Sequence, residues 1–216
     1  MANLPTPDTQ AKVVSDAAES FVEHYYDSLN KRQPLAQYYA SASPHLASAS
    51  VKPDISVNGR VVESAAAYEA LLDAQGRHVH YAVLSFDAHP VSPNYTLGCP
   101  PALSLTADGS DAAGGPGRGK VAKSIRDGDR VSFAVQVSGT IRYGQPGDKP
   151  SAPAASAAAG TAAAAAAGKD VAVEGPPVEA AFNEAWLLVP HWEALGRNAS
   201  RGLRKWLVVS QNFRAF

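Results

Sequence analysis

The sequence predicts an α+β domain in which helices pack on one antiparallel sheet, and two observations carry that reading. Apolar residues recur at three- and four-residue spacing over the first third of the chain, and the period then changes to two over four long segments. Helical segments come first and strands follow, an order that lays helices against an antiparallel sheet instead of between parallel strands. A chain of 216 residues suits one or two domains, and two stretches poor in large apolar side chains leave foldable sequence for one. The expectation is a single domain over 1–216 with disordered insertions at about 90–120 and 144–177.

The first helix runs from about Thr9 to Leu29, because Val14, Ala18, Phe21, Val22, Tyr25 and Leu29 share one face behind a cap at Asp8 or Thr9. Pro34 to Tyr39 reads as a short second helix, with proline tolerated in its first turn. Between Asp54 and Val62, the pair Asn58-Gly59 sits between β-branched runs and predicts a hairpin turn, since both turn positions need positive φ. Ser64 caps a third helix through Tyr68, Leu71 and Leu72, and Gly76 closes it.

Four strands follow. His78 to His89 alternates and is expected to end at Pro90. Val131 to Tyr143 alternates most cleanly, with Val131, Phe133, Val135, Val137, Ile141 and Tyr143 opposite a polar face. Val178 to Val189 and Leu203 to Arg214 carry bulky residues on both faces. Phe182, Trp186 and Leu188 oppose Leu187 and Val189 in one, and Trp206 and Val208 oppose Leu203, Leu207, Val209 and Phe213 in the other. One face fills a core, so the second needs a cover: a helix, an enclosed ligand or a partner protein.

The segments between these strands differ in kind. Pro90 to Lys120 is rich in proline and contains the run from Gly114 to Gly119, which predicts a mobile loop. Alanine supplies 12 of the 18 residues from Ser151 to Gly168, which predicts linker-like disorder within 144–177.

Composition narrows the function. Lys and Arg total 19 against 20 Asp and Glu, a net charge of −1, so only local patches bear on nucleic acid. Arg197, Arg201, Arg204, Lys205 and Arg214 stand against Glu193 alone in residues 191–216, a local excess of four positive charges; Arg197, Arg201, Arg204 and Lys205 are the candidate RNA contacts. The lone Cys99 forbids an internal disulfide and a cysteine zinc site, which fits a reducing compartment. No apolar run reaches a membrane span and the N-terminus lacks a signal-peptide pattern, so no membrane partner is expected.

Catalysis finds weak footing. Asp87 with His89, His78 with His80, and Tyr25 with Tyr26 are the only acid-base constellations, and no nucleophile elbow or phosphate loop is present. No catalytic residue, cofactor or metal site is assigned. The apolar surplus instead points to a protein partner, with Phe182, Trp186, Leu188, Trp206 and Val208 as the candidate interface because large aromatic residues anchor such surfaces.

The order of helix, short helix, Asn-Gly hairpin, helix and four long strands resembles the nuclear transport factor 2-like family. Phe21 to Tyr26, Leu35 to Tyr39, Ile55 to Gly59 and Trp206 to Arg214 carry the resemblance, which covers roughly 12–89, 131–143 and 179–216. It implies a cone in which three N-terminal helices pack on a strongly bent antiparallel sheet. Within the family, the long insertions and the stretches around Pro53 to Gly59 and Val79 to Tyr81 look most like the small subunits of fungal heterodimeric mRNA-export receptors. Such a subunit is noncatalytic and pairs through its sheet with the related domain of a larger export subunit. It supports passage of mRNA, and of preribosomal particles, through nuclear pores. The resemblance also implies a charged interface contact for Arg214, weak binding of Phe-Gly nucleoporins, RNA held through the heterodimer, and residence in the nucleus and at the pore with shuttling to the cytoplasm. A homodimeric import factor for a small GTPase and a small-molecule enzyme or binding protein of the same fold are the alternatives. The large insertions count against the import factor.

Overall fold

Helix α1 (Pro7–Asn30) lays one apolar stripe, Val14, Ala18, Phe21, Val22, Tyr25, Tyr26 and Leu29, onto the sheet, as its spacing requires. Its cap is Thr6, whose hydroxyl accepts from the Thr9 amide, two or three residues earlier than expected. The structure is a computed structural model that describes residues 4–76, 78–104, 118–144, 178–196, 199–200 and 202–216. The expected insertion at 144–177 lies outside the described residues from 145 onward, as do 105–117 of the first insertion.

After α1 the expected short helix resolves into two single 3-10 turns, Ala36–Tyr38 and Ala40–Ala42, followed by a five-residue helix α2 (Pro44–Ser48) capped by Ser43. Strands β1 (Asp54–Val57) and β2 (Arg60–Val62) form the hairpin, with Asn58 at φ 51° and Gly59 at φ 80° in its turn. Helix α3 (Ala65–Ala74) is capped by the Ser64 hydroxyl and ends before Gly76 at φ 89°.

Six strands then make one sheet in the order β2-β1-β6-β5-β4-β3. Strand β3 is Val79–Ser92, β4 is Ser132–Tyr143, β5 is Val178–Pro190 and β6 is Trp206–Ala215. All pairings are antiparallel except β1 on β6, which is parallel, so the sheet is mixed at that end. Strand β3 runs through Pro90 by virtue of its place at the sheet edge, where a missing N–H costs no ladder bond. Bulges interrupt β3 near Leu84 and Val91 and the β5–β6 pair near Leu188, and these sharpen the bend of the sheet.

The bent sheet closes over α1 to form the main core. Phe133, Val135, Val137, Ile141, Phe182, Trp186, Leu188, Val208 and Phe213 line its inner face. Gly139 belongs to that face for a steric reason. A methyl group there would meet the Ala82 carbonyl oxygen at 2.2 Å and the Phe182 ring at 2.5 Å, so only glycine lets Phe182 lie across β4.

A second, smaller core lies on the other side of the sheet at one end. Val189 and Leu207 are covered there by Ala40, Leu46 and Trp192, with Tyr95, Cys99 and Leu103 packed against them. Residues 93–104, expected within a mobile loop, thus form part of a roof. Trp192 donates to the Leu97 carbonyl at 2.9 Å and stacks on Tyr95. The buried Arg130 guanidinium lies over the Trp192 ring and donates to the Leu103 carbonyl. Beyond the undescribed stretch, helix α4 (Arg118–Arg126) packs Val121 and Ile125 inward, which the proline- and glycine-rich composition did not suggest.

Candidate partner interface

Pairing register places the uncovered face of the sheet residue by residue, because directly opposed side chains share a side. Gln136, Ala185, Asn212 and Ser56 make one row, and Ser138, Asn183 and Arg214 the next. Thr140 and Ala181 follow, then Arg142 and Glu179, which form an ion pair at 2.9 Å. Val61, opposite Ser56, is 77 % exposed at one margin. The centre of this face therefore holds small and amide side chains without formal charge, and the charges Asp87, Arg142, Glu179 and Arg214 stand around it. Depletion of charge at the centre with a charged surround is the anatomy of a protein interface.

Four of the residues expected at the partner surface lie elsewhere. Phe182, Trp186, Leu188 and Val208 are buried under α1, Trp186 packing edge-on against Phe21 and Tyr25. The correction has a volumetric cause: the concave side must fill the space between sheet and helix, so it takes the largest side chains. Trp206 is half-buried, also on the inner side, with its Nε1 donating to the Val131 carbonyl at 3.1 Å and its ring against Phe133. The apolar surplus on the opposite side, Val189 and Leu207, is roofed by the chain itself. Of the six expected interface residues, only Arg214 stands exposed on the open face.

The expected RNA contacts divide similarly. Arg197 and Arg201 lie outside the described residues. The Arg204 guanidinium rests on the Tyr38 ring at 3.5 Å, while the Arg204 carbonyl accepts from His191 Nδ1 at 2.7 Å. That guanidinium is engaged with the protein. Lys205 is exposed in a groove it shares with Asp16, Asp127 and Asp129, whose carboxylates offset its charge.

The cone interior holds a carboxyl group that sequence reasoning missed. Glu184, 1 % exposed, accepts from Tyr26 at 2.6 Å and from Gln211 Nε2 at 2.5 Å. Gln211 in turn donates to Tyr25 at 3.1 Å and accepts from Tyr39 at 2.5 Å. Burial pushes the Glu184 carboxyl up to about 7, against the opposing pull of the hydrogen bonds from Tyr26 and Gln211. Trp186 Nε1 favours its charge as well, although the indole lies outside hydrogen-bonding geometry. Burial, with the nearby Glu184 charge, likewise holds the Tyr26 phenol far above its ordinary range. Glu184 shares a strand face with Phe182 and Trp186, and that two-residue phase is the signal that places an acid inside.

The constellations weighed for catalysis separate in space. Tyr25 and Tyr26 belong to the interior network, whose polar groups bond to one another. Asp87 and His89 pair at 3.1 Å on the open side of the sheet edge, both about three-quarters exposed. Among the described residues, no three His, Cys, Asp or Glu side chains come together as metal ligands, and no helix is long and apolar enough to cross a membrane.

No family model and no curated protein matches the chain. Solved structures do. A chain in the structure described as a Sac3N peptide bound to Mex67:Mtr2 is 24 % identical with a TM-score of 0.69, covering 94 % of this chain and 99 % of that one. A chain of the Chaetomium thermophilum Mex67 NTF2-like domain complexed with Mtr2 is 25 % identical with a TM-score of 0.68, covering 94 % and 98 %. A chain in the structure described as Mtr2 gives 23 % identity and a TM-score of 0.66, covering 94 % and 99 %. The chain has the nuclear transport factor 2-like fold and resembles Mtr2 in it.

Proposed function

We propose that this chain is the noncatalytic small subunit of a heterodimeric mRNA-export receptor, pairing through the open face of its sheet with the related domain of a larger subunit. The likeness to Mtr2 over nearly the whole of both chains carries the proposal, since two of the similar structures are complexes with Mex67. The physical support is the open face itself, small-featured and free of charge at its centre around Gln136, Asn183 and Ala185. A sheet face exposed to solvent as its final state ordinarily carries long charged side chains there.

The interior supports a noncatalytic role. Phe182 stacks on Phe213, Tyr26 packs against Phe182 and Trp186, and the Glu184 carboxyl is held by Tyr26 and Gln211. In this reading the heterodimer works in the nucleus and at the pore and shuttles to the cytoplasm, touching Phe-Gly nucleoporins weakly at many points. RNA is held by the heterodimer, with little contributed by Arg204, whose guanidinium is engaged on Tyr38.

Coexpression with the Chaetomium thermophilum Mex67 NTF2-like domain tests the pairing. A stable one-to-one complex by light scattering is expected, and Ala185→Arg abolishes it while leaving the circular dichroism of the chain unchanged. A homodimer that ignores the larger domain overturns the heterodimer. Undiminished pairing by the Arg variant overturns the choice of face.

A further inference from the structure

Strand β3 closes the sheet at one end, and among the described residues nothing pairs with its free side. It is 14 residues long, and from Leu84 to Val91 nearly every residue is exposed, with Leu84 at 72 %, Phe86 at 39 % and Val91 at 59 %. Edge strands are usually blunted by proline, lysine or bulges. Here the bulges fall near Leu84 and Val91 and proline stands at position 90, so Ser85 to Ala88 keep an unbroken ladder with β4.

Beside that stretch the helix does not cover the strand. A notch of about 460 Å³ opens between α1 and β3, floored by Val22, Tyr81, Val83 and Phe86 and rimmed by Glu19 and Glu23. Both glutamates are exposed one helical turn apart, and neither has a cation partner among the described residues. On the opposite side of the strand Asp87 adds a third carboxylate, which already holds His89 at 3.1 Å and the Ala88 N–H at 2.8 Å. The edge thus offers three things together: backbone groups that β4 leaves unpaired around Phe86, although the Ala88 N–H donates to Asp87 at 2.8 Å, an apolar notch in phase with Phe86, and carboxylates on both sides.

We propose that the free edge of β3 takes up an extended segment of a partner protein by strand addition, with apolar residues at alternate positions and basic residues between and flanking them. Backbone hydrogen bonds to residues 84–88, with Ala88 contributing only its carbonyl, hold the segment, its apolar side chains fill the notch beside Val83 and Phe86, and its basic side chains reach Glu19, Glu23 and Asp87. A second copy of this chain fits less well, because pairing β3 with itself gathers the carboxylates of both copies in one place. The site shares only Asp87 with the rim of the open face and does not depend on the proposed heterodimer.

The probe is a short peptide alternating valine with lysine and carrying lysine also at both ends of its valine face, measured by fluorescence anisotropy and by amide hydrogen exchange. Saturable binding is expected, with slowed exchange confined to residues 84–88. N-methylation of the peptide at alternate residues, which removes its strand-pairing donors, weakens binding at least about tenfold, as does the double variant Glu19→Lys, Glu23→Lys. Phe86→Thr weakens it through the notch, and Ala185→Arg leaves it unchanged. Equal binding by the N-methylated peptide, protection mapped elsewhere, or full protection of these amides without peptide overturns the proposal. Concentration-dependent self-association with β3 protected would identify a second copy as the occupant and overturn the partner assignment.

Discussion

Replacing Glu184 by Gln tests the buried network directly. The carboxyl titrates near 4.5 when solvated and is pushed up to about 7 in the folded chain by burial. A carboxyl raised on folding keeps its proton longer in the native state, so stability falls as pH rises from about 4.5 to about 7 and levels off above. At about 1.4 kcal/mol for each pH unit between the two values, the full loss is about 3 kcal/mol, of which about 2–3 kcal/mol falls between pH 5 and pH 8. A glutamine at this position would keep the shape, accept from Gln211 and donate to Tyr26, and it does not titrate. Urea unfolding of both chains at pH 5 and pH 8 gives the difference free of other titrating groups. The variant should gain about 2–3 kcal/mol over the parent as pH rises across that interval. A difference that stays constant with pH would refute the claim that Glu184 is neutralised by burial.

Three further outcomes are expected. Gly139→Ala should cost at least about 2 kcal/mol in urea unfolding, because the new methyl displaces the Phe182 ring or the Ala82 carbonyl; a neutral result would show that the β3–β4 approach is looser than described. Trp192→Ala should lower stability by about 3–5 kcal/mol and speed reaction of Cys99 with a disulfide reagent, since it removes the stacking partner of Tyr95 and the donor to Leu97; unchanged thiol reactivity would mean that 94–104 is held by other contacts. Trp186→Ala should lower the melting temperature of the isolated chain, whereas Ala185→Arg should not, although the two are neighbours in sequence; equal effects would contradict the assignment of inner and outer faces.

Much of the local structure was legible along the chain. The α1 stripe, the Asn58-Gly59 turn, the Ser64 cap, the Gly76 stop and the alternation from Val131 to Tyr143 each follow from a short-range rule, and each is present. The faces of β6 were not legible, and the bulge between Val208 and Ser210 explains why. Leu207 and Phe213 share a parity in sequence, yet the extra residue rotates the strand, so Leu207 faces the outer roof and Phe213 the inner core. Size was a misleading guide as well. Phe182 and Trp186 looked like interface anchors because they are large, and they are inside for the same reason.

The amino-acid order by itself settled α1, α3, the Asn58-Gly59 hairpin and the four long strands, and with them the α+β class, because capping, φ preference and periodicity act over a few residues. Only the tertiary structure decided which side of each strand faces the helix, that residues 93–104 roof the far side, that Glu184 is buried among Tyr25, Tyr26 and Gln211, and that small uncharged side chains are left as the open face. Those outcomes depend on competition for a fixed volume between segments distant in sequence, settled by a one-residue bulge that no local pattern announces.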